Sequence, residues 1–195
     1  MSVVRRVVRV IAAATGVAAA AAFPVAAAQA DPVAPAACQL SSLSQPFLSW
    51  GDSATYALFP GGDGSFAGWA LAGAAQVTGG YGGGGALDLP SGAVATSPGG
   101  CVNIPHPTTR FFMRADTPGA ALEVASIYDN GTETVAIPMG TVSPGSSWSP
   151  SPSLAIHPAV VPALRGGTED VTLQFTATQG DVQIDDVYVD PYSGH

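Results

Sequence analysis

The sequence contains no lysine, two cysteines and three glutamates, and charged residues make up only 10% of it. Each scarcity excludes something. Beyond residue 30 the only cations are Arg110, Arg114 and Arg165, against fourteen acidic residues, a formal charge of −11 for that portion. Binding to phosphates depends on clustered Lys and Arg, so nucleic acid is excluded as a partner and anionic lipid is repelled. The histidines are His106, His157 and His195. The first two stand directly before proline and the third is terminal, G-x-S-x-G is absent, and no serine-hydrolase arrangement is legible.

A long hydrophobic run is missing as well. The apolar stretch Val10–Phe23 falls short of the ~20 residues a membrane span needs and is followed by Pro24. Arg5, Arg6 and Arg9 precede it, and Ala28, Gln29 and Ala30 form an A-x-A cleavage site. Residues 1–30 therefore read as an export signal cleaved after Ala30, with Arg5 and Arg6 as a weak twin-arginine motif. The protein is expected to be secreted. Residues 31–37, rich in Ala and Pro, read as a flexible lead-in, and residues 38–195 as a single domain.

An even cysteine count in an exported chain reads as a Cys38–Cys101 disulfide. Closing that loop restricts the unfolded chain by roughly 4 kcal/mol in the entropy model. The competing readings are two free thiols or half a metal site, for which further cysteines and histidines in ligand spacing are lacking.

What is abundant is glycine, with 24 residues, and proline, with 17, which leave no room for long helices. No apolar repeat at helical spacing is sustained after residue 30. Short stretches instead combine β-branched or aromatic residues with turn signals: Ala54–Phe59, Ala70–Val77, Ala86–Leu89, Arg110–Ala115, Leu122–Tyr128, Thr134–Met139, Val171–Thr178 and Val182–Val189. Asp129, Asn130 and Gly131 supply the positive-φ chemistry of a hairpin turn. Eight short strands without helices predict an all-β fold, two antiparallel sheets packed as a sandwich or jelly roll. Phe111, Phe112 and Met113 between Arg110 and Arg114 predict a central strand with apolar side chains on both faces. The two arginines are expected to pair with acids near residue 185.

Gly80, Gly82 and Gly85 make a formal G-x-G-x-x-G, but a strand pattern follows where a phosphate cradle needs a helix. The run reads as a mobile surface loop with Tyr81 at its centre as the one residue able to reach a ligand. Along the C-terminal stretch, Val182 and Ile184 share one parity whereas Val187 and Val189 share the other. The pattern slips at Asp185 and Asp186, which predicts a β-bulge. The paired carboxylates carry two readings: oxygen ligands for Ca²⁺, or solvated groups accepting hydrogen bonds from turn amides.

Trp50, Trp69 and Trp148, with Tyr56, Tyr128 and Tyr188, could supply a platform for sugar rings or pack in the core. Trp69, between Gly68 and an alternating strand, reads as the more buried. Trp148, among Ser146, Ser147, Ser149 and Pro150, is the better surface candidate.

Taken together, Cys38, Ser44–Phe47, Trp50–Asp52, Tyr56, Pro60–Asp63, Gly68, Trp69, Cys101, Arg110–Phe112 and Asp185–Pro191 resemble a family of exported actinobacterial proteins, over nearly all of residues 38–191. That family is similar to galactose-binding-like jelly rolls, the fold of many carbohydrate-binding modules. In those modules an early Phe-Glu turn and a late Asp-Asp-Val strand commonly hold a structural calcium. The resemblance implies Asp185 or Asp186 as late ligand and Asp63 as early one, although Ser65 and Phe66 occupy the early turn and no glutamate follows. The expectation is a secreted, monomeric, non-catalytic binding module for a glycan, with Tyr81, Trp148 and Trp69 as candidate ligand residues. The alternatives are a small extracellular hydrolase, whose carboxylates converge only in three dimensions, and a structural surface protein that contacts other proteins.

Overall fold

In a computed structural model, residues 42–103, 108–129, 133–156 and 168–190 are described, all within one unit spanning Pro35–His195. The side chains of residues 101, 103, 129, 168 and 169 are not part of that description. The leader, the 31–37 segment, Cys38, the Cys101 side chain, the turn residues Asn130 and Gly131, and all three histidines lie outside it.

The chain alternates in and out along fourteen described strands and has no α-helix among these residues. They are β1 (Leu43–Ser44), β2 (Tyr56–Leu58), β3 (Ala70–Ala72), β4 (Ala75–Thr78), β5 (Gly85–Leu89), β6 (Val94–Thr96) and β7 (Gly100–Asn103). The second half contributes β8 (Thr108–Ala115), β9 (Ala121–Asp129), β10 (Thr134–Val142), β11 (Ser149–Pro150), β12 (Leu154–Ala155), β13 (Thr168–Gln179) and β14 (Val182–Asp190).

Two antiparallel sheets result. In the first, β14 lies between β8 on one side and β5 and β2 on the other; β11 and β12 flank β8, β4 flanks β5 and β1 flanks β2. The second runs β10-β9-β13-β6-β3, with β7 also beside β13. Pairing of Thr134 with Asp129 and of Val135 with Tyr128 forms the expected β9–β10 hairpin.

Alternation buries one face of each sheet against the other. Leu87, Phe111, Met113, Val182 and Ile184 from the first meet Leu122, Val124, Val171, Leu173 and Phe175 from the second. Each such large side chain contributes roughly 1.5–3 kcal/mol by leaving water. Phe111 meets Phe175 edge to face, with ring centroids 5.1 Å apart. Trp69 is 8% exposed and caps this core against Phe66 and Phe175, its indole N–H donating to the Pro60 carbonyl at 3.1 Å.

The slip in β14 is present. Asp185 pairs with Phe112 and Tyr188 with Arg110, so one extra residue is inserted, and Asp186 takes φ +46°. The insertion changes parity, which lets Val182, Ile184, Val187 and Val189 all face the core. One expected strand is corrected: Ala70–Val77 is two strands in different sheets, β3 beside β6 and β4 beside β5, separated by Gly73 at φ +74°.

Candidate functional site

Residues of the first sheet that alternate with the core positions face outward. At one end this face is covered. Phe47, Tyr56 and Phe112 are buried together, and Tyr188 packs against them. Phe47 sits under the Arg110 guanidinium, 4.5 Å from ring centroid to Cζ. Arg110 pairs with Asp52, not with acids near residue 185, and its Nε donates to the Ser151 carbonyl at 2.9 Å. Tyr56 donates its hydroxyl to Asp52 at 2.7 Å, and the Ala54 amide donates at 2.9 Å. Burial alone would push the Asp52 carboxyl up, but the Tyr56 hydroxyl, the Ala54 amide and Arg110 hold it below its ordinary value. The same burial and the neighbouring carboxylate push Tyr56 up to about 12. The arrangement is a clamp that fixes the segment from Gln45 to Ala54.

Beyond the clamp a row of polar side chains crosses three strands. Gln183 on β14 donates its amide to Asp88 on β5 at 3.0 Å and accepts from Arg114 Nε on β8 at 2.8 Å. The Arg114 guanidinium lies over the Trp148 ring, 5.3 Å from its centroid. Carboxylate, amide, guanidinium and indole are thus fixed in line on a rigid sheet, each half-buried. Arg114 faces Trp148 and Gln183, which corrects its expected acidic partner.

Tyr81 reaches the same face. It stands in a short 3-10 turn, Tyr81–Gly83, of the glycine run, and its ring stacks on Phe112. The run is followed by β5, a strand, so the G-x-G-x-x-G match is accidental. Beneath the turn lies Asp185, 1% exposed, whose carboxylate accepts the amides of Tyr81 and, at 2.8 Å, of Asp186. A Cβ at Gly80 would collide with Asp185 Oδ2 and the Gly85 carbonyl, so only glycine lets the turn close there. Burial, then the charges of Asp186 and Asp63, push the Asp185 carboxyl up to about 7 despite those two amides. Burial, then the charges of Asp186 and Asp185, push Tyr188 up to about 12.

These contacts bear on the calcium expectation. Asp185 turns its oxygens to local amides, and Asp63 accepts the Ser65 amide and hydroxyl in its own turn. No three His, Cys, Asp or Glu side chains among the described residues form a metal-holding group. The residues present do not fit a calcium cradle built from Asp63, Asp185 and Asp186. Asp185 and Asp63 accept turn amides, whereas burial and the Asp63 charge push the Asp186 carboxyl up.

Of the remaining candidates, Trp148 lies on the outer face, whereas Trp69 is in the core and cannot stack on a ligand. Tyr128 is also buried, and Trp50 is 47% exposed on a separate turn, Leu48–Trp50. A shallow groove of about 470 Å³ beside β4, lined by Gly64, Gln76, Val77, Thr78 and Gly83–Gly85, offers no titratable side chain for acid–base chemistry. Sequence reasoning missed Asp88, Arg114 and Gln183 as a unit. Parity alone could have put Arg110, Phe112 and Arg114 on one face.

No protein-family model matches the sequence, and no curated protein matches it. Among solved structures the chain is similar to the CBM22-1–GH10 modules of a Clostridium thermocellum endo-1,4-beta-D-xylanase 10B complexed with xylohexaose, at 18% identity and TM-score 0.50. That likeness covers 67% of this chain and 27% of the xylanase chain. The C-terminal CBM6 of a laminarinase from Zobellia galactanivorans matches at 12% identity and TM-score 0.44, over 62% of this chain and 90% of that one. A Cellvibrio mixtus lichenase 5A module in complex with cellotriose matches at 16% and 0.44, over 63% and 90%. The fold is a jelly-roll sandwich of the kind carbohydrate-binding modules have. No helix among the described residues is long and apolar enough to cross a membrane.

Proposed function

We propose that this chain is an exported, non-catalytic binding module whose ligand is a neutral glycan held on the outer face of the first sheet. The observation that carries the reading is the row Asp88, Gln183, Arg114 and Trp148. A sugar ring offers hydroxyls at its rim and an apolar C–H patch on its face. Carboxylate, amide and guanidinium bind the rim, and an indole stacks on the patch. Trp148 and Tyr81 are the aromatic contacts of this site. The mature chain's acidity favours an uncharged polysaccharide over an anionic one.

Catalysis is disfavoured by access. A carboxyl raised to about 7 is what a general acid requires, yet Asp185 is 1% exposed beneath Gly80 and meets no substrate there. The test is retention on insoluble polysaccharides, beginning with xylan because the CBM22-1–GH10 modules of the xylanase were complexed with xylohexaose. Wild type should be retained by at least one, and Trp148→Ala and Arg114→Ala should be released from it. Failure to bind any member of a broad panel removes the reason to prefer glycan.

A further inference from the structure

Among the described residues the large apolar side chains left exposed are Leu43, Leu48, Trp50 and Leu71. Three of the four fall within residues 43–50, the stretch that the clamp holds down. Phe47 is its buried anchor. The Phe47 carbonyl accepts the amides of Trp50 at 2.9 Å and Asp52 at 3.2 Å, Asp52 is tied to Arg110, and the Gln45 side chain closes the segment on the Ser53 carbonyl at 2.6 Å. Ion pair, cation–π contact and hydrogen bonds thus fix a turn that leaves an indole 47% exposed. A Trp held in position and left in water is a stacking surface whose ordering cost is met before any ligand arrives.

The turn is continuous with the site proposed above. Phe47 and Tyr81 rest on one ring: the centroid of Phe112 lies 5.2 Å from that of Phe47 and 3.6 Å from that of Tyr81. Arg114, Phe112 and Arg110 are successive outward positions of β8, and at about 3.4 Å per residue they cover roughly 14 Å of the face. Phe47 and Asp52, which bracket the Leu48–Trp50 turn, both meet Arg110, so the turn stands at that end. Such a length exceeds one sugar ring and calls for several in sequence. The carboxylate beside the turn, Asp52, is neutralised by Arg110, which suits an uncharged chain.

We infer that Trp50 is the far end of the ligand site, and that the outer face takes a run of several linked sugar rings, from Trp148 and Arg114 past Tyr81 to Trp50. The inference rests on the glycan reading and adds the class of glycan, an extended chain in place of a mono- or disaccharide. Aromatic rings spaced along the path stack on successive apolar C–H patches of such a chain.

Titration calorimetry of the mature chain with graded oligosaccharides of one to six rings tests it. The xylo-, cello- and laminari- series are used, together with the series cut from whichever polysaccharide retains the protein. Affinity should rise at least tenfold between two rings and five. Trp50→Ala should lower the six-ring affinity at least tenfold and the two-ring affinity less than threefold, with an unchanged circular dichroism spectrum. Trp50→Tyr should recover most of the loss, since an aromatic face is what the ligand uses. An affinity that levels off at one or two rings overturns the inference. So does a Trp50→Ala variant that matches wild type on six rings, or one that loses short and long ligands in equal measure, which would make the turn a structural support. Absence of binding to every series and every polysaccharide removes the glycan reading itself, and the extension with it.

Discussion

The ring of Tyr81 lies flat on that of Phe112, centroids 3.6 Å apart and planes 10° from parallel. The contact joins a glycine loop to the middle of a rigid strand. It exists because the Tyr81 amide is held by the buried Asp185 carboxylate and because Gly80 leaves room for that oxygen.

Gly80→Ala should therefore cost about 1–3 kcal/mol as an overpacking change, and it should free Tyr81 from Phe112. Gly84→Ala, four residues on with open space around it and φ −76°, should stay within about 0.5 kcal/mol of wild type. Chemical denaturation of the two variants checks the contrast. Equal losses would mean that the turn does not close on Asp185.

The pH dependence of stability should carry the signature of Asp185. Its carboxyl is raised from 3.8 to about 7, so the folded state binds a proton more readily than the unfolded one. That contribution is fully present below about 3.8 and is lost as pH rises towards 7. The Asp52 and Asp63 carboxyls are lowered, and their contribution is lost only at the acid end. Between pH 4 and 7 the melting temperature should fall with rising pH, and Asp185→Asn should flatten that slope. A slope unchanged in the variant would assign it elsewhere.

Calcium should do little. Adding Ca²⁺ to EDTA-treated protein at neutral pH should leave the melting temperature where it was, because Asp63 and Asp185 already serve local donors. A saturable rise would contradict this and restore the cradle.

The clamp on Arg110 should be worth about 2 kcal/mol, the scale of charge-assisted hydrogen bonds in a partly buried setting. Arg110→Ala and Asp52→Asn should each cost that much, and the double variant clearly less than the sum. Arg110→Lys should not rescue, since a lysine cannot both reach Asp52 and donate as Nε does to Ser151 while lying over Phe47. Additive losses would show that the two residues act independently.

How far the sequence was legible follows from what periodicity can see. The long strands and the slip at Asp185 and Asp186 were visible because apolar residues alternate on both flanks, at opposite parity. Ala70–Val77 looks like one strand in the sequence because alternation carries no information about which sheet a residue joins; the left-handed Gly73 makes that decision. The strands β1, β11 and β12 are two residues each and leave no pattern to detect. The row from Asp88 to Trp148 was invisible for another reason. Asp88 and Gln183 are 95 residues apart in the chain, and only the register between β5 and β14 brings them together. The same holds for Arg110, whose partner Asp52 lies 58 residues upstream rather than among the terminal aspartates.

The central claim is that the outer face of the first sheet holds a glycan. Isothermal titration with soluble oligosaccharides from whichever polysaccharide retains the protein is its most direct test. Binding should disappear in Trp148→Ala and weaken at least tenfold, about 1.4 kcal/mol, in Gln183→Ala, with both variants folded. Undiminished binding in both would contradict the account.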